Sequence, residues 1–130
     1  MLNILVVDDS AMARKRISET LLKFDINHTI VAEAEDGVQA LEMFHKFNPN
    51  LILTDLEMPR MHGLQLIEEL RKLNSSLDIV VISALINEQI RQTLKHDRYL
   101  DFTKKPIDEK RIKHILQKLE HKIQNKVRES

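Results

Sequence analysis

The most informative run in the chain is Leu51-Ile52-Leu53-Thr54-Asp55-Leu56-Glu57-Met58-Pro59, and Gly63 follows it a few residues later. The apolar residues before Asp55 are typical of a strand that is buried on both faces of a parallel sheet. A carboxylate at the end of such a strand is costly to bury without a partner, so packing alone does not explain Asp55. We therefore expect the chemistry of the chain to be centred on this residue.

Composition restricts the class of protein. A length of 130 residues with 42% apolar content allows one domain with an ordinary core. Twenty acidic and twenty basic residues cancel, which gives no electrostatic reason to expect broad binding to nucleic acid or to an anionic membrane. The absence of cysteine excludes disulfides and thiolate catalysis and favours the reducing cytoplasm. The N-terminal residues lack the basic flank of a signal peptide.

Apolar runs and amphipathic stretches alternate along the chain. Strands are predicted at residues 1–9, 29–32, 51–55, 79–83 and 99–103. Helices are predicted at residues 10–24, 37–47, from 63 to about 73, 86–94, and from 108 onward. Five strand–helix units with apolar strands predict an α/β fold, in which a doubly wound parallel sheet is covered by five helices.

The last helix carries an apolar stripe at Ile112, Leu116, Leu119 and Ile123, in steps of four and three. This spacing is narrow enough for a coiled-coil seam, so a homodimer through the helix is one expectation. We predict that residues 1–122 form the globular domain and that residues 123–130 form a charged helical C-terminal extension.

Polar residues fall at the carboxyl ends of the predicted strands, where ligands of open α/β sheets bind. Asp8 and Asp9 end the first strand, Asp55 ends the third, Ser83 ends the fourth, and Lys105 follows the fifth. Three carboxylates at one edge repel one another unless a cation holds them, and oxygen ligands without cysteine favour Mg²⁺. A carboxylate beside Mg²⁺, with an ammonium and a hydroxyl in reach, can accept a phosphoryl group.

These motifs, taken in order, resemble the receiver domain of bacterial two-component response regulators. The resemblance covers about residues 3 to 120 and rests on several matched motifs: Asp8-Asp9, Asp55, Met58-Pro59, Gly63, Ser83-Ala84, Phe102 and Lys105-Pro106. It implies a flavodoxin-like sheet in the order 2-1-3-4-5. It also implies a cytoplasmic signalling domain, not an enzyme, that is phosphorylated by a histidine kinase or a phosphotransfer protein, as in chemotaxis-type regulators.

The resemblance assigns roles to the acidic residues and the lysine. Asp55 is expected to be the phosphoacceptor, and Lys105 is expected to pair with the phosphoryl group. Mg²⁺ is expected to be bound by Asp8, Asp9, Asp55 and the backbone carbonyl of Glu57. Lys104 offers a second ammonium, but the spacing from the preceding aromatic residue and the following proline favour Lys105.

The remaining matched residues are expected to form a switch and to shape loops. Ser83 and Ala84 are expected to bind the phosphoryl group, and Ser83 and Phe102 are expected to change position together. The structural residues of the family pattern are Pro59, Gly63 and Pro106. Gly63 is expected to serve a turn with positive φ, and Lys105-Pro106 is a candidate cis bond.

We hypothesise that the downstream protein binds to the fourth helix, the fifth strand and the fifth helix. The chain departs from the family near this surface. Receivers usually carry a Gly-Ala pair before the fifth strand, where this chain has Lys95-His96-Asp97-Arg98, and Thr103 and Lys104 make the strand more polar than usual.

Two alternatives stay open from the sequence. The chain could be the receiver portion of a longer regulator whose output domain follows the last helix. A less favoured alternative is a phosphohydrolase of the haloacid dehalogenase type, which also uses an aspartate at a strand end and Mg²⁺. Those enzymes carry a second acid two residues after the nucleophile, where this chain has Glu57, but the usual aspartate and cap insertions are missing.

Overall fold

The computed structural model of the protein describes residues 1–129, and the side chains of residues 1–125. The described part of the chain alternates strands and helices. The strands are β1 (Leu2–Val7), β2 (His28–Ala34), β3 (Leu51–Thr54), β4 (Asp78–Ser83) and β5 (Leu100–Lys104). The helices are α1 (Ala11–Leu22), α2 (Gly37–Phe47), α3 (Gly63–Leu73), α4 (Glu88–Leu94) and α5 (Glu109–Glu129). Every predicted element is present, with ends shifted by a few residues.

The strands form one parallel sheet in the order β2-β1-β3-β4-β5, which confirms the predicted fold. Side chains alternate across a strand, so each strand supplies both faces of the sheet. In β1, Ile4 and Val6 pack with residues of α1 and α5. Leu5 and Val7 pack on the other face with residues of α2, α3 and α4. The two apolar layers are therefore covered by helices, and the strand ends are left for polar residues.

Polar side chains fix where the helices begin. The residue before the helix accepts a hydrogen bond from an amide of the first turn in four cases: Ser10, Asp36, His62 and Asn87. These bonds satisfy donors that the first turn of a helix otherwise leaves free. Among the described residues, no helix is both long enough and apolar enough to cross a membrane.

Gly63 has a different role from the predicted one. No glycine in the described part of the chain has a positive φ, so the prediction of such a turn is wrong. A Cβ atom at Gly63 would lie 2.5 Å from the Asp55 carbonyl oxygen and 2.6 Å from Leu56 Cα. Glycine is needed because α3 begins directly against the end of β3. The positive φ values belong to Asn48 (47°) and Arg60 (63°).

Helix α5 is attached to the sheet along its apolar stripe. Its core residues are Ile112, Ile115, Leu116 and Leu119, and Ile123 packs against the same cluster. Lys122 Nζ also donates to Asp78 Oδ1 at 2.6 Å. Docking on the sheet thus accounts for the stripe as far as Ile123. The boundary after residue 122 stays a prediction, and the side chains of residues 126–130 in the predicted extension lie outside the described part.

Candidate functional site

Three carboxylates meet at the carboxyl edge of the sheet. Asp8 and Asp9 follow β1 and Asp55 follows β3, and these strands are paired neighbours, with Val7 opposite Thr54. One carboxylate oxygen from each acid lies within 4.8 Å of the others. Asp8 and Asp55 are buried and Asp9 is exposed, so the cluster opens to solvent on one side.

The Asp55 carboxylate has two different oxygens. Oδ1 accepts hydrogen bonds from the backbone amides of Leu56 at 2.6 Å and Glu57 at 3.2 Å. Oδ2 accepts from Lys105 Nζ at 3.0 Å. The backbone amides therefore set the orientation of the group, and Oδ2 is the oxygen that faces the charged partner.

Lys105 connects two of the acids. Its ammonium lies 2.7 Å from Asp8 Oδ2 and 3.0 Å from Asp55 Oδ2. The backbone amide of Lys105 donates to the Ser83 carbonyl at 3.0 Å, which continues the β4–β5 pairing up to the site. Lys104 is exposed. The Lys105–Pro106 bond is cis, as the sequence predicted.

The neighbours of Asp55 determine its charge state. Burial alone would raise the pKa of the Asp55 carboxyl, but the Ser83 hydroxyl, the Lys105 ammonium and the Glu57 amide outweigh burial and lower it. Burial would lower the pKa of Lys105, and the Asp8 and Asp55 carboxylates instead hold it above its ordinary value. Both groups are therefore charged at neutral pH, which leaves Asp55 a carboxylate that is able to attack an electrophile.

Ser83 and Phe102 lie on adjacent strands beside this cluster. Ser83 ends β4 and is fully buried, and its Oγ accepts a hydrogen bond from the Leu85 amide at 3.1 Å. The Ser83 hydroxyl also lies near enough to Asp55 to lower the pKa of the Asp55 carboxyl. Phe102 is half-buried on β5. Ala84, next to Ser83, is exposed.

Two contacts around the site were missed from the sequence. Arg14 Nη1 donates to the Asp8 carbonyl at 2.6 Å, and its Nε lies 3.1 Å from Glu33 Oε1. Arg60, in the loop after Asp55, donates through its guanidinium to Asp36 Oδ2. The position of Arg14 in the first turn of α1, just after the acidic pair, is a signal that could have indicated the first contact. No pattern in the neighbouring sequence indicates the contact between Arg60 and Asp36.

The donor set fits a hard divalent cation. Mg²⁺ prefers oxygen ligands and usually keeps several waters, and the carboxylate oxygens of the cluster are joined to solvent through the exposed Asp9. The side chain of Glu57 is exposed, and its backbone carbonyl stays a predicted ligand.

Comparison with known proteins agrees with this arrangement. Residues 4–117 match the family described as the response regulator receiver domain. A chemotaxis protein CheY of Bacillus subtilis is 31% identical over 88% of this chain and 94% of its own length. A protein-glutamate methylesterase/protein-glutamine glutaminase of Pyrococcus abyssi is 37% identical over 81% of this chain, which spans only 28% of that relative. The crystallised REC domain of AraT from Geobacillus stearothermophilus has a TM-score of 0.83 at 30% identity, covering 96% of this chain and 97% of that one.

Proposed function

The chain belongs to the response regulator receiver domain family, and we propose that it accepts a phosphoryl group on Asp55 from a phosphohistidine of a histidine kinase or phosphotransfer protein. The observation that carries this proposal is the environment of Asp55. The carboxylate is buried, held by backbone amides at one oxygen, and 3.0 Å from the Lys105 ammonium at the other.

The step joins Asp55 to phosphorus. An Asp55 carboxylate oxygen forms a P–O bond while the P–N bond of the donor breaks, and the imidazole leaves with its electron pair and takes up a proton. Phosphoryl transfer depends mainly on positioning and on neutralisation of charge. Lys105 supplies one positive charge, and Asp8, Asp9, Asp55 and the Glu57 carbonyl are the residues that would hold Mg²⁺. Bound Mg²⁺ would supply further positive charge, which would offset the negative charge of the phosphoryl oxygens.

Ser83 and Phe102 are proposed to register the modification. A phosphoryl group adds negative charge and strong acceptors at Asp55. The Ser83 hydroxyl, buried at the end of the neighbouring strand, would turn to donate to one of these oxygens. The space it leaves would admit the half-buried ring of Phe102, with Ala84 keeping the entrance open. The Phe102 movement would alter the surface formed by α4, β5 and α5, where the downstream protein is proposed to bind. We propose that this domain is a phosphoacceptor and does not turn over an independent substrate.

Incubation with acetyl phosphate and Mg²⁺, read by intact-protein mass, tests the proposal. We expect a phosphoryl adduct on the wild-type chain and on Asp25→Asn, an exposed loop variant. The adduct should be lost in Asp55→Asn and after chelation of Mg²⁺. An adduct of equal yield on Asp55→Asn would contradict the assignment. Sustained Mg²⁺-dependent release of phosphate from a generic phosphomonoester would instead favour the phosphohydrolase alternative.

A further inference from the structure

The loop between β3 and α3 is attached to the start of α2 by an ion pair. Arg60, in that loop, donates from Nε at 2.9 Å and from Nη2 to Asp36 Oδ2. Asp36 is the N-cap residue of α2, and its other oxygen accepts from the Gln39 amide at 2.8 Å. The Arg60 side chain is 63% exposed and the Asp36 side chain only 7%. An arginine at the surface thus satisfies a buried carboxylate 24 residues away in the chain.

An apolar contact lies next to this ion pair. A Cβ atom at Gly37 would lie 2.6 Å from Met61 Cβ, so the missing side chain at Gly37 lets the loop approach the first turn of α2 closely. Met61 also packs against the apolar layer that α2 and α3 cover. We call the Arg60–Asp36 ion pair and the Met61–Gly37 contact the clasp, because together they hold the loop on α2.

The clasp holds a backbone conformation that is unfavourable by itself. Arg60 has a φ of 63°, and across it the Met61 amide donates to the Pro59 carbonyl at 2.7 Å. A hydrogen bond that spans one residue of positive φ is typical of the rarer, strained form of the γ-turn. Residues other than glycine keep such a conformation where surrounding contacts hold it, and they cluster at functional sites. The ion pair with Asp36 is a contact that can hold Arg60 in this turn.

The same loop begins at the Asp55 carboxylate. The amides of Leu56 and Glu57 donate to Asp55 Oδ1, and the Glu57 carbonyl is the predicted backbone ligand of Mg²⁺. At the other end of the loop, the Gly63 amide donates to the Leu56 carbonyl at 2.8 Å. Glu57 and Arg60 are exposed, so the middle of the loop lies at the surface. Release of the clasp would free this exposed part, and with it the Glu57 peptide group.

We propose that Arg60 is a positioning residue for Mg²⁺ binding, because it holds the loop on α2 and thereby keeps the Glu57 peptide group against Asp55. The inference rests on the proposed function for the role of the Glu57 carbonyl as a ligand. Coupling between two sites is reciprocal, so bound Mg²⁺ would in turn stabilise the clasp. A purely electrostatic effect of Arg60 has the opposite sign, since a positive charge near the carboxylates disfavours a second cation. The direction of the change therefore separates positioning from charge.

Titration of the full, unphosphorylated chain with Mg²⁺, followed by NMR amide shifts, tests the proposal. Arg60→Asn removes the guanidinium and leaves a residue that tolerates positive φ. Asp36→Asn removes the carboxylate charge and keeps the helix cap. We expect each variant to bind Mg²⁺ about fivefold more weakly than the wild type. The double variant should bind about as weakly as either single variant, because all three lose the same clasp. Without metal, the Glu57 amide should exchange with solvent faster in these variants.

Lys122→Gln controls for a general loss of stability. It removes the partner of Asp78, which begins β4 at the opposite edge of the sheet, and should leave the Mg²⁺ affinity within about twofold. Unchanged or tighter binding by Arg60→Asn, additive losses in the double variant, an equal loss in Lys122→Gln, or the absence of Mg²⁺-dependent shifts in the wild type would overturn the proposal. Failure of Asp55 to accept a phosphoryl group would leave the Mg²⁺ affinities and exchange rates unaffected, so the two proposals fail separately.

Discussion

Lys105 Nζ and Asp55 Oδ2 lie 3.0 Å apart, and the same ammonium lies 2.7 Å from Asp8. One cation therefore neutralises two buried acids that follow different strands of the sheet. The environment of Asp55, the proposed phosphoacceptor, therefore depends on a residue that comes 50 positions later in the chain.

Lys105→Met should destabilise the fold. Removal of the ammonium leaves two buried carboxylates without their partner, which costs about 1–3 kcal/mol. Because a divalent cation can replace the lost charge, Mg²⁺ should raise the melting temperature of the variant more than that of the wild type. Thermal unfolding with and without Mg²⁺ measures both effects. Lys104→Met, a change at the exposed neighbour, should behave like wild type; equal loss in the two variants would contradict the role of Lys105.

Gly63→Ala should cost more stability than Gly37→Ala. A Cβ atom at Gly63 meets backbone atoms of Asp55 and Leu56 at the end of a central strand. One at Gly37 meets Cβ, Cγ and Sδ of Met61, which lies in the loop before α3 and can shift at lower cost than a strand end. Overpacking of this kind costs about 1–3 kcal/mol. Urea unfolding of both variants provides the comparison, and Gly63→Ala should also lower the yield of Asp55 phosphorylation because the clash displaces the strand end. A smaller loss at Gly63 than at Gly37 would refute the packing argument.

Asp36 should contribute a pH-dependent part of the stability. Burial would raise the pKa of its carboxyl, but the Gln39 amide and the Arg60 guanidinium lower it below the ordinary value of 3.8. A carboxyl with a depressed folded-state pKa stabilises the fold above its unfolded pKa, and this contribution disappears as pH falls through the folded-state pKa. Asn is also a good helix N-cap, so Asp36→Asn removes the charge and keeps the cap.

Urea unfolding as a function of pH tests this prediction. Asp36→Asn should be less stable than wild type at neutral pH, and the difference should shrink as pH falls below about 4. Asp25→Asn, at an exposed loop position, should show no such convergence. A constant difference between wild type and Asp36→Asn over the whole range would rule out the ion pair with Arg60 as the source.

Truncation of α5 should have different effects at two positions. A chain that ends at Leu119 loses Lys122, which pairs with the buried Asp78, and Ile123, which packs on the core. A buried carboxylate left unpaired costs about 1–3 kcal/mol. A chain that ends at Asn125 keeps both contacts and should unfold at nearly the wild-type temperature. Lys122→Met should reproduce much of the loss, and Lys118→Met, at a more exposed position, should not.

The same pair of truncations addresses oligomerisation. If the helix forms a coiled-coil dimer through residues beyond Asn125, the chain that ends at Asn125 should already have the mass of a monomer in solution. Sedimentation of both truncated chains separates loss of a dimer from loss of stability, which the cut after Leu119 alone would confuse.

The alternation of apolar strands and amphipathic helices was readable from the sequence because both patterns are local. A buried parallel strand needs a continuous apolar run, as in residues 51–53, and a helix that covers the sheet needs a stripe with a period near 3.6. The acids, the serine and the lysine at the strand ends could also be assigned, because parallel strands bring their carboxyl ends to one edge. The same argument predicted that Asp8, Asp55 and Lys105 would meet, and they do.

The contacts between loops could not be predicted from the sequence and became visible only in the folded structure. The role of Gly63 is a close approach of α3 to the end of β3, and a glycine in the sequence cannot distinguish that from a positive φ. Arg60 pairs with Asp36, and Arg111 holds the Phe102 carbonyl, across separations that no local pattern records. Burial can be predicted from the spacing of apolar residues that are close together in the sequence. The partner of an exposed charge depends instead on how the sheet places two distant segments. For this protein the sequence therefore determined the architecture and the residues that meet at the carboxyl edge of the sheet, and only the packed structure decided which charges hold the surrounding loops.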